Sequence, residues 1–278
     1  MIGRRLASGV VGIALLLIFW ELGAILIGQQ SPNPDIVWPH LSKIVGEGLP
    51  GISTVDTTGA GQKTGENQAS VLGAIEVLVV QAWVTIRRVA LGATVGLILG
   101  CGLGAMINSS RLFNAMFSPV LNALRQIPLF SLTLLFLIWF GGSDLGITVF
   151  VIYGTSLVMM VATAEAIENV PEVHVQYAQA LGASRTQILR TVIGPAVIPP
   201  LAAVTLVVTG LAWAMVLAAE LLGTQHGLGR LILFFQLFNL TDRMTVVAFT
   251  LTLLAIVSHF VLAAMFTRLT RWVPRKVE

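Results

Sequence analysis

Residues 171–195 read Pro-Glu-Val-His-Val-Gln-Tyr-Ala-Gln-Ala-Leu-Gly-Ala-Ser-Arg-Thr-Gln-Ile-Leu-Arg-Thr-Val-Ile-Gly-Pro, with long apolar runs on either side. Pro171 suits the first position of a helix, where its missing N–H leaves no bond unmade, and Glu172 sits at that helix's positive end. Val173, Tyr177 and Leu181 recur every four residues and predict one apolar face. Gly182 supplies a left-handed residue to end the helix. Ser184, with Gln187 three residues later, has the pattern of a capping box that opens a second helix. The stretch reads as a helix–glycine–helix elbow held outside a bilayer between two spans.

The bilayer follows from composition. Of 278 residues, 56% are hydrophobic and only 10% charged, and the mean hydropathy is +0.89. A soluble domain of this size has no interior able to hold that much apolar surface, so the expected class is an all-α polytopic membrane protein. The apolar runs do not alternate as barrel strands would. Six transmembrane helices are expected, at 8–28, 89–108, 112–140, 146–165, 196–219 and 245–266. The first follows Arg4 and Arg5 but is too long for a secretory signal and has no small-x-small cleavage site, so it is read as a retained span. Residues 1–28 are then an N-terminal tail and first span. Residues 29–88 are an extracytoplasmic loop with an interfacial helix at 71–86 and a flexible, Gly- and Thr-rich insertion at 51–70. Residues 89–266 are the membrane core, with a polar outer segment at 220–243 between its last two spans, and 267–278 a basic tail.

Within the core, Gly92, Gly96, Gly100 and Gly104 lie four apart on one helix face, where two backbones can approach closely. Pro119 and Pro128 interrupt the third span. Six spans put both termini, the 108–111 turn and the elbow on one side. That side carries Arg4, Arg5, Arg111, Arg185, Arg190, Arg268, Arg271, Arg275 and Lys276, whereas the opposite turn at 141–144 carries no cation and the outer 220–243 segment carries Arg230 and Arg243. Lys43, Lys63, Arg87 and Arg88 belong to a long loop or its far end, where the rule counts less. Basic residues mark the cytoplasmic side, so the elbow and both termini are expected there.

Enzymatic chemistry finds no foothold. No Gly-x-x-x-x-Gly-Lys-Ser/Thr loop is present to cradle phosphates, and His40, His174, His226 and His259 form no pair at metal-ligand spacing. A net charge of +3 does not point to nucleic acid. The single cysteine, Cys101, lies inside an apolar run and excludes an internal disulfide.

The elbow resembles the cytoplasmic EAA loop of importer-type ABC permeases. Gln176, Tyr177 and Ala178 stand where that family carries Glu-Ala-Ala, Gly182 keeps its glycine, and Val192, Gly194 and Pro195 fill the closing Ile-x-Leu-Pro positions. The Leu181-Gly-Ala183-Ser-Arg185 core is intact. Two further stretches narrow the resemblance to permeases for nitrate, sulfonate and taurine. Residues 123–141 resemble that group's third-span signature, an Arg-x-x-Pro break closing on Trp-Phe-Gly. Residues 218–229 are similar to its Ala-Glu…Gly-Leu-Gly segment. The resemblance implies a type I importer permease acting as a homodimer, with two separate ATP-binding subunits that hold ATP and Mg, and an extracytoplasmic solute-binding protein. No cofactor is expected in this chain. It also implies that Glu172, Gln176, Tyr177, Ala178, Gly182, Ala183, Ser184, Arg185 and Pro195 form the ATPase-coupling loop.

Intramembrane ionisable residues are the default candidates for a translocation pathway. Arg125 and Gln126 stand beside the Pro128 break, and Glu220 ends the fifth span. The Arg125 guanidinium suits an oxyanion by paired hydrogen bonds, or else pairs with a carboxylate such as Glu220 for structure alone. The competing functional readings are the same fold carrying another organic solute, such as a vitamin precursor, and an ATP-independent secondary transporter.

Overall fold

The computed structural model describes residues 2–29, 32–55, 69–108, 111–124 and 126–272. Residues 56–68 of the insertion, Arg125 and residues 273–278 of the tail lie outside them. Among the described residues no β-strand forms, and the long elements are helices: α1 (Ile2–Gly28), α2 (Val71–Asn108), α3 (Arg111–Leu124), α4 (Leu129–Phe140), α5 (Asp144–Glu168), α6 (Glu172–Ala180), α7 (Arg185–Gly223), α8 (Leu228–Leu237) and α9 (Thr241–Leu269). Five of them, α1, α2, α5, α7 and α9, are long and apolar enough to cross a membrane. The pair α3 and α4, inclined at 92° across the Pro128 break, makes a sixth apolar segment. The all-α polytopic class expected from composition is the one found.

The chain divides into two compact units, one of residues 1–84 with 225–252, the other of 85–224 with 253–278. The first is organised around the end of α1. Trp20 packs its ring against Trp38 and Phe249, with centroids 5.0 and 5.5 Å away, and donates its indole N–H to Pro39 O at 3.1 Å. Glu21, an expensive residue in an apolar helix, accepts from the His40 ring at 2.7 Å and from the Leu41 backbone N–H at 3.1 Å. Its charge is thereby used to start the helical turns that run from 41 to 54. Those turns bury Ile44 and Ile52 and press Gly48 against the Asp242 backbone, with no room for a larger side chain, and Gly51 against the Arg243 side chain. Residues 51–55 are thus ordered and packed, unlike the loop expected to begin at Gly51.

Two more expectations change here. The 220–243 stretch, which reads as polar, contains α8, whose Leu228, Leu231 and Phe235 are fully buried at spacings of one helical face. The break expected between an interfacial helix at 71–86 and a span at 89–108 is absent, because α2 runs unbroken for 38 residues through Arg87 and Arg88.

The second unit packs α2, α5 and α7 around Phe150, Val151, Val208, Ala212 and Val216. The four glycines of α2 face α5 as the spacing predicts. A carbon added at Gly92 would fall 2.6 Å from Val151 Cγ1, and one at Gly100 would fall 2.6 Å from Ser156 O. At Gly96 it would meet the Thr155 hydroxyl, and at Gly104 the Met160 carbonyl. Thr155, Thr163, Thr205 and Thr209 donate their hydroxyls to carbonyls one turn back at 2.7–2.8 Å, so these buried polar atoms are satisfied within their own helices. Trp213 ties α7 to α9 through Ser258 Oγ at 2.9 Å.

Candidate functional site

Two features stand out at opposite ends of α5 and α7. At one end is the elbow. Helix α6 closes in a Schellman arrangement: the Ala183 N–H donates to Ala178 O at 3.0 Å and the Gly182 N–H to Gln179 O at 2.9 Å. Gly182 holds the required left-handed conformation, φ +79°, with open space where a side chain would be. One residue later Ser184 opens α7 with a full capping box. Its N–H donates to Gln187 Oε1 at 2.7 Å, and the Gln187 N–H returns to Ser184 Oγ at 3.4 Å. Both helix ends at the corner are satisfied locally, so the corner is stiff without help from the rest of the protein. Its apolar face is uncovered in the single chain: Val173, Tyr177 and Leu181 are 60%, 70% and 78% exposed.

At the other end is a buried ionic cluster. Arg88 and Glu220 have side chains only 3% and 0% exposed and meet at 2.7 Å between Nη1 and Oε1. Thr85 donates its hydroxyl to the same carboxylate at 3.0 Å. The remaining face of the Arg88 guanidinium, Nε and Nη2, is turned to Asp144 Oδ1, with Nε at 3.0 Å. Arg87 donates to the other oxygen, Asp144 Oδ2. Two cations and two carboxylates thus join α2, the first residue of α5 and the last turns of α7. A cleft of about 380 Å³ opens beside Arg87, Arg88, Asp144 and Thr148.

The family described as "Binding-protein-dependent transport system inner membrane component" matches residues 92–277. The chain belongs to this family. The permease is 25% identical over 188 residues to the taurine transport system permease protein TauC of Escherichia coli K12, covering 68% of each chain. It is 28% identical over 142 residues to the bicarbonate transport system permease protein CmpB of Synechococcus elongatus, covering 51% of each. Its fold is similar to a chain of the MetNI methionine ABC transporter in an inward-facing conformation. The TM-score there is 0.58 at 20% identity, over 71% of this chain and 97% of that one.

Within this permease the structure gathers Glu172, Gln176, Tyr177, Ala178, Gly182, Ala183, Ser184 and Arg185 into the elbow, all but Ala178 and Ala183 strongly exposed. Pro195 behaves differently. The fifth span is expected to begin at 196, after the elbow, yet one helix runs through Gly194 and Pro195 from Arg185 to Gly223. The turn Leu189–Ile193 just before it is a π-helix, which shifts the hydrogen-bond ladder where the proline removes a donor. The second arm of the elbow is therefore the base of a span rather than a separate short helix. Gln126 and Pro128 form the turn between α3 and α4, the Gln126 N–H reaching Ala123 O at 3.1 Å. Arg125 lies outside the described residues. Glu220 takes an arginine from α2, 132 residues away. Sequence reasoning passed over Arg88, Thr85 and Asp144. The one available signal was an Arg-Arg pair with helix-forming apolar sequence on both sides.

Proposed function

We propose that this permease is one of two identical membrane subunits of an ABC importer for a small oxyanion-bearing solute, such as taurine, another sulfonate or nitrate. Separate ATPase subunits, binding ATP and Mg, drive it, and an extracytoplasmic binding protein delivers the solute. The observation that carries the reading is the elbow. A doubly capped corner that exposes Val173, Tyr177 and Leu181 at the base of a 39-residue helix is a lever with an unfilled apolar contact face. Pushed by a partner, it moves α5 and α7 from one end, and the far end of the same helices is where solute enters. This is alternating access. The solute class rests on the taurine and bicarbonate named for the relatives. The cytoplasmic placement of the elbow and both termini rests on the distribution of basic residues.

The test is to tag the C-terminus, purify the protein in mild detergent and identify what accompanies it. A P-loop ATPase at equal stoichiometry is expected. Leu181→Asp, at a position exposed enough to leave the fold intact, should reduce the retained ATPase at least about tenfold, the effect of losing one apolar anchor of about 1.5–3 kcal/mol. A chain that comes down alone after cross-linking through the elbow would overturn the reading.

A second expectation concerns Gly182. Valine there meets no neighbouring atom but must take φ +79°, a strain of about 1–2 kcal/mol. The protein should remain folded while the corner changes angle. ATP hydrolysis by the assembled complex should continue with uptake reduced severalfold or more, measured as solute moved per ATP in proteoliposomes.

A further inference from the structure

The two carboxylates of the buried cluster are not equivalent. Glu220 is fully enclosed, and its exit would strand an ion in an apolar interior. The Asp144 side chain is 51% exposed and sits at the mouth of the 380 Å³ cleft, so it can turn into water while Glu220 keeps Arg88 paired. When it does, Arg88 Nε and Nη2 and Arg87 Nη2 are left pointing at the place its two oxygens held. That donor set, a guanidinium edge completed by a second arginine, is the geometry that receives a planar or tetrahedral oxyanion.

The depth fits an entry site. Arg88 stands 20 residues before Asn108, the far end of α2, which is about 30 Å of helix and one hydrocarbon thickness. The cluster therefore lies at the membrane boundary opposite the elbow. The local charge is balanced in both states, since an arriving monoanion replaces a departing carboxylate beside the same two arginines. The start of α5 favours either anion.

We propose that Arg87 and Arg88 form a receiving site for the oxyanion head of the transported solute, and that Asp144 occupies it as an internal stand-in until solute displaces it. This rests on the reading of the protein as an oxyanion importer. Arg88 is the fixed half of the site, held by Glu220 and Thr85, and Arg87, with a side chain 47% exposed, is the mobile half.

The full permease, with whatever subunits accompany it, would be titrated with methanesulfonate in an uncharged maltoside detergent. Binding would be followed by calorimetry. Removing the internal competitor should tighten binding: Asp144→Asn is expected to lower the apparent Kd about tenfold, since the wild-type site is open only a small fraction of the time. Asp144→Ala, which leaves no amide oxygen on the arginines, should gain at least as much. Adding Arg87→Gln to either variant should abolish the gain, and dimethyl sulfone, which lacks the charge, should bind none of the proteins. An unchanged Kd in both Asp144 variants, or equal binding of dimethyl sulfone, would overturn the proposal. So would displacement of methanesulfonate by phosphatidylglycerol, which would assign the arginines to lipid headgroups. The same preparations report whether an ATPase is retained. Failure of binding with the ATPase present sinks this proposal alone, whereas a missing ATPase sinks the importer reading.

Discussion

Arg88→Ala is expected to destabilise the permease by about 3–5 kcal/mol, enough to remove most folded protein from the membrane fraction. The loss comes less from the missing attraction than from what is left behind. Glu220 is 0% exposed, and without Arg88 its buried charge loses that counter-ion while the Thr85 hydroxyl, at 3.0 Å, does not neutralise it. Replacing both partners by apolar residues of similar shape, Arg88→Met with Glu220→Leu, removes the charge along with its counter-ion. This double variant should recover most of the lost stability, because a buried pair contributes little relative to a well-packed apolar substitute. Thermal unfolding of the purified proteins in detergent compares the three. A single variant as stable as wild type would mean that Glu220 finds another cation, and the cluster would not be the joint that holds α2 to α7.

The other large effect is expected at Gly96. A carbon there would overlap the Thr155 hydroxyl and approach Ile152 O to 2.9 Å, so leucine has no rotamer that avoids α5. The helices must separate along a seam that includes Gly92, Gly100 and Gly104, losing the close backbone packing that holds helices together in lipid. Overpacking of this kind typically costs about 1–3 kcal/mol, and more where backbone rather than side chain must move. Gly96→Leu should therefore lower the unfolding midpoint strongly and abolish uptake. Gly102→Leu, one face away with open space around it, should do neither. Equal behaviour of the two variants would show that α2 and α5 do not depend on this seam.

The elbow was legible because everything that makes it is local. The Schellman bonds join residues three to five apart, and the capping box joins residues three apart. The left-handed glycine is dictated by its own lack of a side chain. The glycine face of α2 was legible for the same reason, since a spacing of four fixes which side of a helix is smooth. What that face meets was not, because nothing in residues 92–104 identifies residues 151–163 as the partner.

The misread elements fail in the opposite way. Arg87-Arg88 looked like the border of a span because two cations in an apolar run have nowhere to go unless counter-ions come to them. The counter-ions do come, from positions 144 and 220, and the helix continues through. The fifth span was expected to begin only at 196, after Gly194-Pro195, whose proline removes one hydrogen bond. A π-turn upstream absorbs that loss, and packing of the span on α5 outweighs it. Residues 220–243 looked like outer polar sequence, though their every-third-and-fourth leucine and phenylalanine pattern was present in α8. Sequence alone therefore determined the class, the apolar segments, the corner and its caps, since hydropathy, chirality and capping act over a few residues. Tertiary structure alone decided which charges can be buried and where helices truly stop. Those outcomes depend on long-range partners that lower the cost of a charge or a proline in place.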